Sequence, residues 1–374
     1  MNGDAAGSAS VLPRRRSWLG LVTLVAGGLL LSACSSAQSN GQRGAASTRA
    51  PSPLDTIPPT VLSPISVASG TAPVVASSGS TSFDTPASGV VLAIDDTGRF
   101  RIEDLGSAVV LHTLLIATVS QGPSLIASAP GGWVVSYAPT PGNGGSLPAA
   151  RLAFVATSGA VTPFGPTFPQ SGPISGLAVS PDGTRVAIAL MQVMPGAAPA
   201  QITVMAMPGH VSPTRSWPVD DVDVNEMMSL SFAPDGRRLS YIAGSQTGAG
   251  IGGNPATLDT ASDATQAPTA PTWPGNTSEQ CVPDGASWLG TSGKFAVVVD
   301  CPPNGVLKAV DPMTGARAGT DVALPQHACL DAHIHPAADA SAMLISRCDR
   351  VYLVAGGAVN ALDPHLVDAA WAYS

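Results

Sequence analysis

The chain has 374 residues, 44% hydrophobic and only 11% charged, with a formal net charge of −8. So few charges exclude a coiled coil and an acidic disordered chain, and the lack of any basic cluster excludes a nucleic-acid binder. Forty glycines and 35 prolines interrupt helices and favour short strands joined by turns.

Arg14, Arg15 and Arg16 precede a 14-residue apolar run from Trp18 to Leu31. The run is shorter than the ~20 residues of a membrane span and has the layout of an export signal. It ends Leu31-Ser32-Ala33-Cys34, which resembles the lipobox of bacterial lipoproteins. That resemblance implies removal of residues 1–33 as a signal peptide and attachment of diacylglycerol to the Cys34 thiol. Palmitate-length acyl chains, at ~0.8 kcal/mol per buried methylene, then hold the chain at the membrane. The expected location is the cell membrane, lipid-anchored on the extracytoplasmic side; the competing reading is a plain signal peptide with an incidental cysteine. Arg15-Arg16-Ser17-Trp18-Leu19 also resembles a twin-arginine export signal, but ordinary unfolded export ranks above it.

Residues 34–87 are mostly Ser, Ala, Thr, Pro and Gly. Such a segment buries too little apolar surface to offset its ordering entropy, so a disordered tether is expected, reaching about 40 Å at ~5–6 Å × √n. Its Ser and Thr beside Pro are candidates for glycosylation.

Residues 88–374 read as short β runs between turn clusters. Two segments stand out: Gly176-Leu177-Ala178-Val179-Ser180-Pro181-Asp182-Gly183-Thr184-Arg185-Val186-Ala187-Ile188, and Leu230-Ser231-Phe232-Ala233-Pro234-Asp235-Gly236-Arg237-Arg238-Leu239-Ser240-Tyr241. Each is strand, tight turn, strand: Pro sets φ, Asp caps the turn and Gly supplies φ > 0. Asp182 and Asp235 are 53 residues apart. Both segments resemble the WD40-like (PD40) repeats of TolB-type β-propellers, which carry this turn between the first two strands of a blade. Ala129-Pro130-Gly131-Gly132 and Thr291-Ser292-Gly293-Lys294 are degenerate versions. The resemblance implies an all-β propeller with a partner-binding role.

The cysteines keep a similar period: Cys281 and Cys329 are 48 residues apart, Cys301 and Cys348 47 apart. Each pair flanks a strand–turn–strand unit, whose ends meet in an antiparallel hairpin. The expected disulfides are Cys281–Cys301 and Cys329–Cys348, each closing ~20 residues and worth about 3 kcal/mol. A zinc held by all four thiolates is the weaker reading, because the short Cys-x-x-Cys spacing is missing and an exported chain favours disulfides.

This period predicts six four-stranded blades, with first strands starting near Ser124, Ser175, Met228, Cys281, Cys329 and Asp368. The last is a lone strand at the C-terminus. Val90–Ile94, Phe100–Glu103 and Val109–His112 are three strands lacking a first. Joined, the two ends complete one blade and close the ring. Seven blades of ~41 residues remain the alternative.

Among candidate functional residues, His327, Asp331, His333 and His335 alternate with Cys329 along one predicted strand, so they project to one face. Imidazoles at i and i+2 can share a divalent metal, with Asp331 as an oxygen ligand; no other cofactor is expected. The acidic group Asp220, Asp221, Asp223 and Glu226 reads as a solvated inter-blade loop. Gly250, Gly252 and Gly253 read as a loop, inside a low-complexity insertion from Ser245 to Trp273. Trp133, Trp217, Trp273 and Trp288 are expected between blades. No phosphate-binding loop, Gly-x-Ser-x-Gly elbow, His-Glu-x-x-His pair or Cys-x-x-Cys-His site occurs.

Two functions follow. The first is a lipid-anchored propeller acting as a non-enzymatic binding or scaffold module for an envelope protein or glycan. The alternative is an extracytoplasmic metal-dependent lactonase, hydrolase or lyase built on His333 and His335, with Asp331 as ligand or base.

Overall fold

The structure, a computed structural model, describes residues 89–373 except 119–124, 140–148, 169–172, 193–197, 220, 222–223, 246–251, 270–281, 291, 302–303, 313, 326–331 and 348–349. The predicted signal peptide, Cys34 and the tether therefore lie outside the described residues. So do Cys281, Cys329 and Cys348, and Cys301 is described only as backbone.

All described elements are strands, paired antiparallel in consecutive meanders. The first meander is β1 (Val90–Asp95), β2 (Arg99–Asp104) and β3 (Val109–Ala117). The second blade is β4 (Leu125–Ala129), β5 (Gly132–Tyr137), β6 (Ala150–Ala156) and β7 (Val161–Phe168). The third is β8 (Ile174–Val179), β9 (Arg185–Leu190), β10 (Gln201–Ala206) and β11 (Arg215–Pro218). The fourth shows three strands among the described residues, β12 (Glu226–Phe232), β13 (Arg238–Ser245) and β14 (Gly252–Asp259). The fifth is β15 (Val282–Leu289), β16 (Lys294–Cys301), β17 (Asn304–Val310) and β18 (Val322–Leu324). The sixth is β19 (Ala332–Pro336), β20 (Ala342–Arg347), β21 (Arg350–Ala355) and β22 (Ala358–Ala361). The last strand, β23 (Leu366–Trp371), pairs with β1 from Val91↔Trp371 to Asp95↔Leu366 and completes the first blade in the order β23-β1-β2-β3.

The inner strands are thus β23, β4, β8, β12, β15 and β19, and each touches the next around a closed ring. This is a six-bladed β-propeller with the expected joint between the two ends of the body. Every expected first strand is found within three residues of its predicted start.

The core is not one central mass. The described apolar residues fall into clusters that each bridge two neighbouring blades. Trp133 and Val135 of β5 join Leu92, Ile94 and Ala370 of the first blade, whereas Val134, on the opposite face of β5, packs with Val186 and Ile188 of β9. On β16, Phe295, Val297 and Val299 meet Met228 and Ile242 of the fourth blade, while Ala296 and Val298 meet Ile334 and Ile345 of the sixth. Alternation puts successive side chains on opposite faces, and here both faces are covered, so the middle strands read as unbroken apolar runs.

The Pro-Asp-Gly turns form as expected. The Gly183 and Gly236 N–H groups donate to the Ser180 and Ala233 carbonyls, each at 2.8 Å, and both glycines have positive φ. Asp182 Oδ1 accepts from Thr184 N, and Asp235 Oδ1 from Arg237 N. Ser292 substitutes for the Asp in the fifth blade, its Oγ accepting from Lys294 N at 3.2 Å. A further copy, without a signature in the sequence, is Ala337–Ser341: Asp339 Oδ1 accepts from Ser341 N, and Ala340 takes the left-handed position at φ 57°.

Three expectations need correction. Gly252 and Gly253 are not loop residues but the start of β14, paired with Ser245 and Gly244. Glycine suits Gly253 because a Cβ there would lie 2.2 Å from Ile242 Cγ2. The Ser245–Trp273 segment is accordingly not a featureless insertion, since β14 runs the length of β13. Glu226 is not in a solvated acidic loop: it is 8% exposed and opens β12 opposite Gly244. Trp133, Trp217 and Trp288 do pack between blades; Trp273 lies outside the described residues.

Candidate functional site

The inner strands enclose a cavity of about 340 Å³, within the range of small-ligand sites. Leu177, Leu230, Phe232 and Trp288 make its walls apolar, and the hydroxyls of Ser128, Ser229, Ser231 and Ser287 supply polar points. Several hydroxyls are tied to the framework. Ser229 Oγ donates to the Ala332 carbonyl at 2.8 Å, linking the inner strands of the fourth and sixth blades past the fifth. Ser231 and Ser287 Oγ lie 3.2 Å apart. Ser229 has φ 51°, where the β12 register shifts between Met228 and Ser231; such non-glycine backbone persists only where its surroundings hold it in place.

His333 and His335 border the same cavity. As predicted, their alternation on β19 turns both to one face. Pro336 ends that strand without breaking it, since it still pairs with Met343. His327 and Asp331 lie outside the described residues, so the acidic partner that the structure shows is a different one. Asp368 of β23 brings its Oδ1 to 3.2 Å from His335 Nε2 and its Oδ2 to 3.6 Å from His333 Nδ1.

Asp368 is 3% exposed. Its Oδ1 also accepts from the Ser346 hydroxyl and from Ala369 N at 2.9 Å. Burial works against the charged carboxylate, but the imidazoles of His335 and His333 outweigh it and hold the group far below the ordinary carboxylate range. The signal for Asp368 was present in the sequence. It is the one acid in the apolar strand Leu366–Trp371, and ring closure sets that strand beside the histidine blade.

A second buried polar element went unforeseen. Arg347 and Asp284 have fully buried side chains and pair at 2.9 Å, with Arg347 Nη1 also donating to the Pro325 carbonyl at 3.1 Å. Asp284 sits where β15 shifts register between Pro283 and Gly285. Gly305 leaves room for the guanidinium, because a Cβ there would stand 2.5 Å from Nη1. The pair pins the fifth blade to the sixth.

Fold and site together define a six-bladed β-propeller with an apolar central cavity and a histidine–carboxylate cluster at its edge. No family model matches the chain, and no curated protein is similar to it in sequence. Among solved structures, TolB from Acinetobacter baumannii is similar, with a TM-score of 0.51 and 16% identity over 76% of this chain. The match spans 66% of the TolB chain, just under two thirds of its length. Also similar are a chain of a nidogen/laminin complex (TM-score 0.49, 14% identity, 76% of this chain and 98% of that one) and the periplasmic gluconolactonase of Pseudomonas aeruginosa (0.46, 14%, 74% and 82%). At such identities the likeness is one of fold.

Proposed function

We propose that the chain is a bacterial lipoprotein, anchored through Cys34 on the extracytoplasmic side of the cell membrane. Its propeller acts as a non-enzymatic binding module for an envelope protein or glycan. The observation that carries the reading is the central cavity, which combines apolar walls with a few fixed hydroxyls and imidazoles, the makeup of a binding site. The export signal and lipobox-like Cys34 support the location, and a tether of about 40 Å would let the cavity search the space above the membrane. The second reading is a metal-dependent lactonase, hydrolase or lyase built on His333 and His335; the Ser229 hydroxyl in the cavity donates to a backbone carbonyl and offers such chemistry no activated nucleophile.

The test has two arms. Cys34→Ala is expected to move the chain from the membrane fraction to the soluble one; unchanged membrane retention would refute the anchor. A photoreactive residue at Ser128, on the cavity wall, is expected to crosslink to an envelope component, whereas one at fully exposed Val211 is not. Equal crosslinking from both positions, or none from Ser128, would refute the cavity as the binding site.

A further inference from the structure

The Asp368 carboxylate is unevenly served. Oδ1 receives the Ser346 hydroxyl, the Ala369 N–H and His335 Nε2. Oδ2 is buried and has no hydrogen-bond partner; it faces His333 Nδ1 at 3.6 Å, beyond hydrogen-bonding reach. A buried anionic oxygen without a partner is costly. Its surroundings show what would satisfy it, since donor atoms of His333, His335 and Asp368 all lie within 4.8 Å of one another.

We propose that His333, His335 and Asp368 form a Zn²⁺ site at the edge of the central cavity, with Asp368 Oδ2 as the oxygen ligand. Two imidazoles and one carboxylate are a borderline-hard donor set that suits zinc. Ligands about 2.0–2.1 Å from a tetrahedral zinc stand about 3.4 Å apart, close to the 3.6 Å between His333 Nδ1 and Asp368 Oδ2; His335 Nε2, now 3.2 Å from Oδ1, would exchange that contact for the metal. The Ser346 and Ala369 donors on Oδ1 hold the carboxylate in place, the supporting role that groups behind a metal ligand commonly play. Three protein ligands leave a fourth position. Because both histidines border the cavity, that position takes water or an oxygen-bearing group of whatever occupies it. The metal site does not depend on the cavity having a protein or glycan partner.

The test uses the full-length chain in detergent, stripped with EDTA and titrated with ZnCl₂ against a chromophoric chelator. One Zn²⁺ per chain is expected, together with a rise in Tm on zinc addition. His333→Ala and His335→Ala should each weaken binding by about a hundredfold, and Ser346→Ala by about tenfold. Circular dichroism in EDTA checks that each variant is folded. Should an alanine variant fail to fold, His335→Gln keeps a donor toward Asp368 while supplying a poor zinc ligand, and it should lose the metal with the fold intact. Absence of stoichiometric zinc in the unmodified chain would overturn the proposal. So would undiminished binding in a folded His333 or His335 variant, which would put the metal on other side chains.

Discussion

The buried Arg347–Asp284 pair offers the sharpest test of how the fifth and sixth blades are joined. Both side chains are inaccessible to solvent, so removing one partner takes a charge-assisted contact from the other where water cannot replace it. Arg347→Met and Asp284→Leu should each cost about 3–5 kcal/mol. At about 2 °C per kcal/mol for a body of this size, each Tm should fall by about 6–10 °C. The double variant should recover most of that loss, because two apolar side chains of similar volume place no charge in the interface. The assay is a double-mutant cycle from urea or thermal unfolding, with the coupling energy as its readout. Single costs below about 1 kcal/mol, or a double variant as unstable as the sum of the singles, would refute the assignment of the pair as a desolvated inter-blade link.

The turn glycines separate conformational cost from steric cost. Gly293 has φ 68° and nothing within 4 Å of where an alanine methyl would lie, so Gly293→Ala should cost about 1–2 kcal/mol from backbone strain alone; Gly183→Ala, whose Cβ would come within 3.0 Å of Pro130 Cγ, should cost more in the same unfolding assay. Burial raises the Asp182 carboxyl, but hydrogen bonds from Ser180 and Thr184 outweigh it and hold the group below 3.8; its stabilisation is thus complete above that value and lost as pH falls through the folded value. Asp182→Asn should therefore flatten the acid limb of a Tm–pH curve. His365 is shifted the opposite way, raised by its hydrogen bond to Asp96, so its contribution is full below 6.5 and lost as pH rises through the folded value; Asp96→Asn should abolish that alkaline loss. Non-reducing peptide mapping should show Cys281 joined to Cys301 and Cys329 to Cys348, and a crossed pairing would refute the argument from the repeat.

The regular parts of this fold were legible because they rest on local chemistry. Pro-Asp-Gly turns at Pro181 and Pro234 marked two blades, and their spacing marked the rest. The turn at Ala337–Ser341 was hidden because Ala340 stands where glycine is expected, and only the Asp339 cap identifies it. Strand β14 was hidden because Gly252 and Gly253 resemble a loop, although close packing against Ile242 is what requires a glycine at 253. Of the candidate site, the two histidines were legible from their alternation. Their partner Asp368 was overlooked although it is the one acid of its strand, because it is 33 residues beyond His335 and packing between neighbouring blades, not local chemistry, brings it near. Arg347 and Asp284, 63 residues apart, were illegible for the same reason.

The position of the histidine–carboxylate cluster follows from the way the ring closes. A propeller closed by its own terminal strand has one joint that is not continuous in sequence, and here that joint is β23 lying between β1 and the neighbouring blade. Asp368 in this strand faces His333 and His335 of β19, while His365, just before it, hydrogen-bonds Asp96 in the β1–β2 turn and gives its carbonyl to Asp96 N. Trp371 seals the same joint against Val91, Leu344 and Val351. The last strand is therefore held on both sides by polar as well as apolar contacts, as a strand with no covalent turn joining it to β1 requires. Any ion bound by His333, His335 and Asp368 would tie β23 to β19 and so help hold in place the strand whose pairing with β1 closes the ring.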